Sequence, residues 1–208
     1  GYGALGVMVE AELELAENVR VERTNHVVSL DRYAEDFAQR VRNNPDAVFH
    51  NGDIYPPEFS QMRAVTWSRT DRFVTRPERL MRVEPSHRLY QYLSWAISES
   101  PAGKWRRQHL YDRLIMAGKP VHWRNYEAGY DVAELEPRSR RTSSYVLQEY
   151  FIPVGRFAEF AQKMAGIFRR FNVNVLNVSV RHALPDGVTL LAWAPEEVFA
   201  FVVYYKQQ

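Results

Sequence analysis

The 208 residues carry 27 Lys and Arg against 25 Asp and Glu, a formal charge of +2 that makes no electrostatic case for nucleic acid or an anionic membrane. Hydrophobic residues make up 46%, enough for a packed core and too much for a disordered chain. The absence of cysteine excludes disulfides, thiolate nucleophiles and Cys-ligated metals together; no apolar run reaches the length of a membrane span and no signal peptide opens the chain, so a cytoplasmic protein is expected.

From Gly1 to Asn18 a glycine-rich turn leads into Val7, Val9, Ala11, Leu13 and Leu15 alternating with Met8, Glu10, Glu12 and Glu14, the period of a half-buried strand. Gly1, Gly3 and Gly6 precede a strand instead of a helix, so a Rossmann fingerprint is not supported. Val19 to Leu30 is a second extended run. Asp31 then caps a helix whose inner face is Tyr33, Ala34, Phe37, Ala38 and Val41, and Asn43, Asn44 and Pro45 end it. Strands are expected at Ala47 to Ile54 and Met62 to Ser68, around a Pro56-Pro57 loop, with His50 and Asp53 straddling a turn at Gly52.

Residues 70–142 read as an insertion punctuated by prolines. Leu89, Leu93, Ala96 and Ile97 mark one helix, and a weaker one spans Trp105 to Leu114 and closes at Gly118. The run from Pro120 to Arg141 reads as loop, ending in a solvated basic cluster of Arg138, Arg140 and Arg141.

Ser143 to Lys206 then gives strand, helix, strand, strand. The helix carries Phe157, Phe160, Ala161, Met164, Phe168 and Phe171 on one stripe. On the following strand Leu176, Val178 and Val180 are expected to face that helix. The other face ends in Asn177, Ser179 and Arg181, a polar row where a site is to be sought, while His182 falls opposite in a structural role. The last strand, Val198 to Tyr205, is apolar on both faces and should be covered on both.

Residues 25–68 repeat this order, and the helices echo each other in letters, Arg32-Tyr-Ala-Glu35 against Arg156-Phe-Ala-Glu159. The expected fold is therefore α+β: one antiparallel sheet with helices on one face, built from a duplicated, ferredoxin-like β-α-β-β unit. Among the six histidines none shows metal-ligand spacing, and no G-x-S-x-G occurs. Read on its own, such a sheet also suits a non-catalytic ligand-binding or dimerisation module, working as a homodimer.

The opening GYGALGVMVEAELEL resembles the end of the FAD-binding domain in FAD-linked oxidases of the vanillyl-alcohol oxidase type, where such a turn packs against the dinucleotide and a substrate-binding cap follows. The resemblance implies that residues 1–18 are the terminal strand of an FAD-binding domain otherwise outside this chain. It puts Gly3, Gly6 and Val7 at the cofactor and makes residues 19–208 the cap, with the helical insertion at about 70–142. Ser179-Val-Arg181, the loop after His182, LLAWA and VFAFVVYY follow the order of the sugar-lactone and alditol oxidase branch. Arg181 falls on that branch's arginine and is the catalytic candidate; Asn177, Ser179, Arg181, Phe201 and Val203 are the substrate-binding candidates. Ser179 stands where the branch has Glu, which implies a less polar substrate. The function implied is the cap portion of a flavin-dependent oxidoreductase that oxidises an alcohol-type or lactone-type small molecule by hydride transfer to FAD, the FAD being held mainly by residues outside this chain.

Overall fold

A computed structural model describes residues 6–81, 95–96, 99–129, 141, 144–189 and 191–207. Seven strands form one antiparallel sheet: β1 (Arg20–Ser29), β2 (Ala47–Ile54), β3 (Gln61–Arg69), β4 (Val121–Trp123), β5 (Ser144–Pro153), β6 (Asn174–Ala183) and β7 (Val198–Gln207). Their order is β4-β1-β3-β2-β6-β7-β5. The first unit thus lies as β1-β3-β2 and the second as β6-β7-β5, each with its third strand in the middle. The two units are joined through their second strands, β2 and β6, in register Asn51 to Arg181 and Asp53 to Ser179. The duplicated α+β architecture read from the sequence is the one observed.

The helix of each unit packs on the same face. In the first, α1 (Tyr33–Phe37) runs on through the wider turns of Ala38–Arg42; in the second, α4 (Phe157–Arg170) ends at Asn172, whose φ of 48° is a left-handed conformation that asparagine tolerates better than most residues. Beneath them lies the main core. Tyr33, Phe37, Phe157, Phe199 and Phe201 are fully buried there, with ring centroids 5.0–5.5 Å apart in tilted, stacked and edge-on pairs. Gly52 lies inside β2 and not at a turn. A Cβ on it would stand 2.3 Å from Met62 Cε and 2.9 Å from the Tyr33 hydroxyl, so α1 sits this close to the sheet only over a glycine.

Three further expectations are corrected. A register shift between Val175 and Asn177 opposite β7 inserts an extra residue, which turns Val175 into the helix-side core and moves Leu176 off it. A strict period of two cannot anticipate such a bulge. Residues 7–15 form no strand: Val7, Val9, Leu13 and Leu15 are exposed, because among the described residues no layer lies against their apolar side. The segment after Pro120 is not all loop, since it supplies β4 at the sheet edge and a short helix, α3 (Arg124–Ala128). The helix expected around Leu89 and the cluster members Arg138 and Arg140 fall outside the described residues.

The insertion's main helix, α2 (Pro101–Arg106), continues through Arg107–Tyr111 and Asp112–Ile115. Ser100 starts it: its hydroxyl accepts from the Gly103 N–H at 3.0 Å, with Pro101 at the first helical position. This helix lies on the sheet face away from α1 and α4, bonded to Asn25, Gln61 and Asn177. No helix among the described residues is long and apolar enough to cross a membrane.

Candidate functional site

Strand alternation separates two chemistries on β2 and β6. Gly52, Ile54, Val178 and Val180 face the core, whereas Asn51, Asp53, Asn177, Ser179 and Arg181 face the other way and fall together where the two units meet. The polar row expected on β6 is therefore half of a polar patch. The other half comes from β2.

Asp53 is its centre. Burial pushes its carboxyl above the usual range; the charge of Arg107 opposes that push, Asp112 adds to it, and hydrogen bonding from Asn177 and Ser179 also opposes it. Asn51 Nδ2 donates to Asp53 Oδ2 at 3.3 Å. From α2, Arg107 reaches down with one guanidinium nitrogen donating to the Leu176 carbonyl at 3.2 Å and another to Asn177 Oδ1 at 2.9 Å. With its oxygen engaged by Arg107, Asn177 has its NH₂ to offer Asp53.

The network continues along α2. Arg107 Nε lies 3.9 Å from the buried Asp112, which accepts from the Tyr55 hydroxyl at 2.8 Å. Arg63 Nε donates to the same Tyr55 oxygen at 2.8 Å, and its Nη1 donates to Asn25 Oδ1. Burial and the Asp112 charge push the Tyr55 phenol up to about 12, so it stays a neutral donor. A carboxyl with a raised pKa, two arginines and three carboxamides thus occupy one connected surface. Such a surface can orient a polar ligand and hold or accept a proton at Asp53.

The structure brings Asn177, Ser179 and Arg181 to this face, with Arg181 at its exposed end. Phe201 and Val203 do not join them. They are 0% and 1% exposed in the core under α4, because β7 presents its odd-numbered residues to the helices there. Gly3 lies outside the described residues. Val7 is 89% exposed, and Gly6 has φ 143° with open space where a Cβ would be. His182 takes the structural role expected, with its Nε2 2.7 Å from Glu197 Oε1 and its ring against Phe37.

Asp53, Arg107, Tyr55 and Asp112 were missed. For Asp53 a signal existed: His50-Asn51-Gly52-Asp53 within an apolar-flanked strand puts Asp53 on the same face as Asn51 once Gly52 is taken as a strand residue. Arg107 and Asp112 carry no such signal, since nothing local says that α2 lies over the β2–β6 seam. Among the described residues no group of three His, Cys, Asp or Glu could hold a metal ion. No family model matches the chain, and no curated protein does.

Proposed function

We propose that this chain is the substrate-binding portion of a flavin-dependent oxidoreductase acting on an alcohol-type or lactone-type small molecule, with FAD held mainly by residues outside these 208. The observation that carries the reading is the polar row Asn51, Asp53, Asn177, Ser179 and Arg181 at the seam of the duplicated sheet, on the face that α1 and α4 leave free. The resemblance of the opening glycine turn and of Ser179-Val-Arg181 to the vanillyl-alcohol oxidase type supplies the reaction class. Gly6 is compatible with a flat partner at its backbone: its φ of 143° is disfavoured for side chains, and nothing lies within 4 Å of where a Cβ would stand.

Bound flavin would supply the hydride acceptor. The chain's own residues would position the substrate and manage its proton. Asn177 and Ser179 offer hydrogen bonds to a substrate oxygen, and Arg181, exposed at the end of the row, orients it or meets developing negative charge. Asp53 is the group suited to take the hydroxyl proton, because its raised pKa brings it nearer to neutral pH than an ordinary carboxylate.

The test uses the intact protein with its flavin. Arg181→Ala should slow flavin reduction by substrate at least tenfold, about the worth of one charge-assisted hydrogen bond, while FAD content stays unchanged. Equal loss of FAD and of reduction rate would assign Arg181 a structural role, and a protein that binds no flavin would overturn the oxidoreductase reading.

A further inference from the structure

A cleft of about 380 Å³ lies between the α2 segment and strands β1 and β3, joined to the β2–β6 seam through the Arg63–Tyr55–Asp112 chain of hydrogen bonds. Its polar lining is Asn25, Gln61, Arg63, Gln108, His109 and Arg113, completed by Val27 and Met116. Among the described residues no acidic side chain lines it. Two arginines, three carboxamides and an imidazole line it, and the Asn25 amide is already bonded to the Met116 carbonyl at 2.8 Å.

Arg63 decides what this lining is for. It is only 7% exposed, yet both partners that its guanidinium has are neutral: the Tyr55 hydroxyl on Nε and the Asn25 carboxamide oxygen on Nη1. Among the described residues no carboxylate lies within ion-pair distance of it; Asp112 is reached through the Tyr55 hydroxyl. Tyr55 cannot serve as a counter-anion, since its phenol is pushed up to about 12. A guanidinium taken out of water without a counter-charge is costly. Among the described residues its remaining nitrogen, Nη2, has no hydrogen-bond partner and is not sealed from solvent, and Arg63 lines the cleft. An arginine fork with a free edge is matched in shape and charge by an oxyanion. Arg113, exposed on α2 at the rim, adds a second positive charge, and the side-chain amide of Gln108 is steadied by Gln61 at 3.0 Å.

We propose that this cleft is an oxyanion site that takes a phosphate group, with Arg63 as its floor and Arg113 as its rim. The site belongs to this chain and does not depend on the oxidoreductase reading.

The experiment titrates the 208-residue chain with inorganic phosphate, and separately with acetate, at ionic strength matched by chloride, following calorimetric heats and amide chemical shifts. Phosphate should bind saturably and shift the amides of Asn25, Gln61, Arg63 and Gln108; acetate, with a single charge, should bind more weakly, and acetate binding as tightly as phosphate would overturn the assignment to phosphate. Arg63→Gln should weaken binding about tenfold or more, the worth of a charged hydrogen-bond pair. Because a substitution at a buried position can disturb folding, Arg113→Gln, exposed and outside the core, is the second variant and should weaken phosphate several-fold with the melting temperature unchanged. Chloride matching the effect of phosphate, shifts confined to residues elsewhere, or full phosphate affinity in Arg113→Gln and in folded Arg63→Gln would each overturn the site.

Discussion

Lowering the pH should loosen the clamp between α1 and the sheet through one residue, His50. Its ring is held by two hydrogen bonds, Nε2 to the Tyr33 hydroxyl at 3.0 Å and Nδ1 to Thr66 Oγ1 at 2.8 Å, and it stacks with Tyr33 beside Phe37. The Tyr33 phenol is pushed far up by burial, so it stays a neutral hydroxyl, and the neutral His50 ring, between two hydroxyls, accepts at one nitrogen and donates from the other. A proton on the accepting nitrogen would disturb that pairing. Burial accordingly lowers the His50 pKa from 6.5 to about 4, with Asp36 opposing and His26 and His182 assisting. A base whose folded pKa is depressed is bound by protons more readily in the unfolded chain. Its contribution is complete above pH 6.5 and is lost as pH falls toward 4, at about 1.4 kcal/mol per pH unit and about 3 kcal/mol in all. For a chain of this size that is a fall in melting temperature of about 6–12 °C. Urea unfolding of the wild type and of His50→Gln between pH 7 and 4 isolates the effect, because the Gln carboxamide can both donate and accept but does not titrate, and the remaining histidines are common to both. The wild type should lose about 3 kcal/mol more than the variant. Parallel pH profiles, or an NMR titration of His50 with a midpoint near 6.5, would refute the reasoning.

Two further outcomes test the sheet and its polar seam, beside the Arg181→Ala measurement already described. Gly52→Ala should destabilise by about 1–3 kcal/mol in urea unfolding, since the new methyl would meet the buried Tyr33 ring and hydroxyl as well as Met62 Cε, and only the latter is a flexible end. Asp53→Asn should stabilise the protein at pH 7. A carboxyl whose folded pKa is raised contributes stability that is complete below its unfolded pKa of 3.8 and is lost as pH rises through the folded value, so the gap between variant and wild type should widen with pH. A variant less stable than wild type at pH 7 would mean that Arg107, Asn177 and Ser179 outweigh the burial of the charge.

The duplicated fold was legible because its signals are local and periodic. The stripe Phe157, Ala161, Met164 and the alternation through Val178 and Val180 each report which side of an element is buried, and Gly, Asn and Pro mark where elements stop. What stayed hidden depends on partners distant in sequence. The bulge that brings Val175 into the core is set by pairing with β7, and the burial of Phe201 and Val203 is set by which of two apolar faces of β7 meets α4. The alternation from Val7 to Leu15 forms no strand and its apolar residues stay exposed, so an amphipathic period alone does not establish a strand or its burial.

The position of the polar site follows from the duplication itself. Each β-α-β-β unit uses one sheet face to hold its own helix, which fixes those positions as apolar in both halves. The opposite face is under no such constraint. The two halves share it only along β2 and β6, so residues from both repeats meet there without a helix of either unit above them. The link between the repeats must run from β3 to β5 and supplies α2, whose Arg107 reaches that seam and whose Asp112 ties it to Tyr55 and Arg63. Three segments distant in sequence thus each contribute a part: carboxyl and carboxamide from the first repeat, hydroxyl and carboxamide from the second, and guanidinium from the insertion. Polar groups so placed satisfy one another only when all three are docked. This couples the docking of α2 energetically to the polar pairing of the seam.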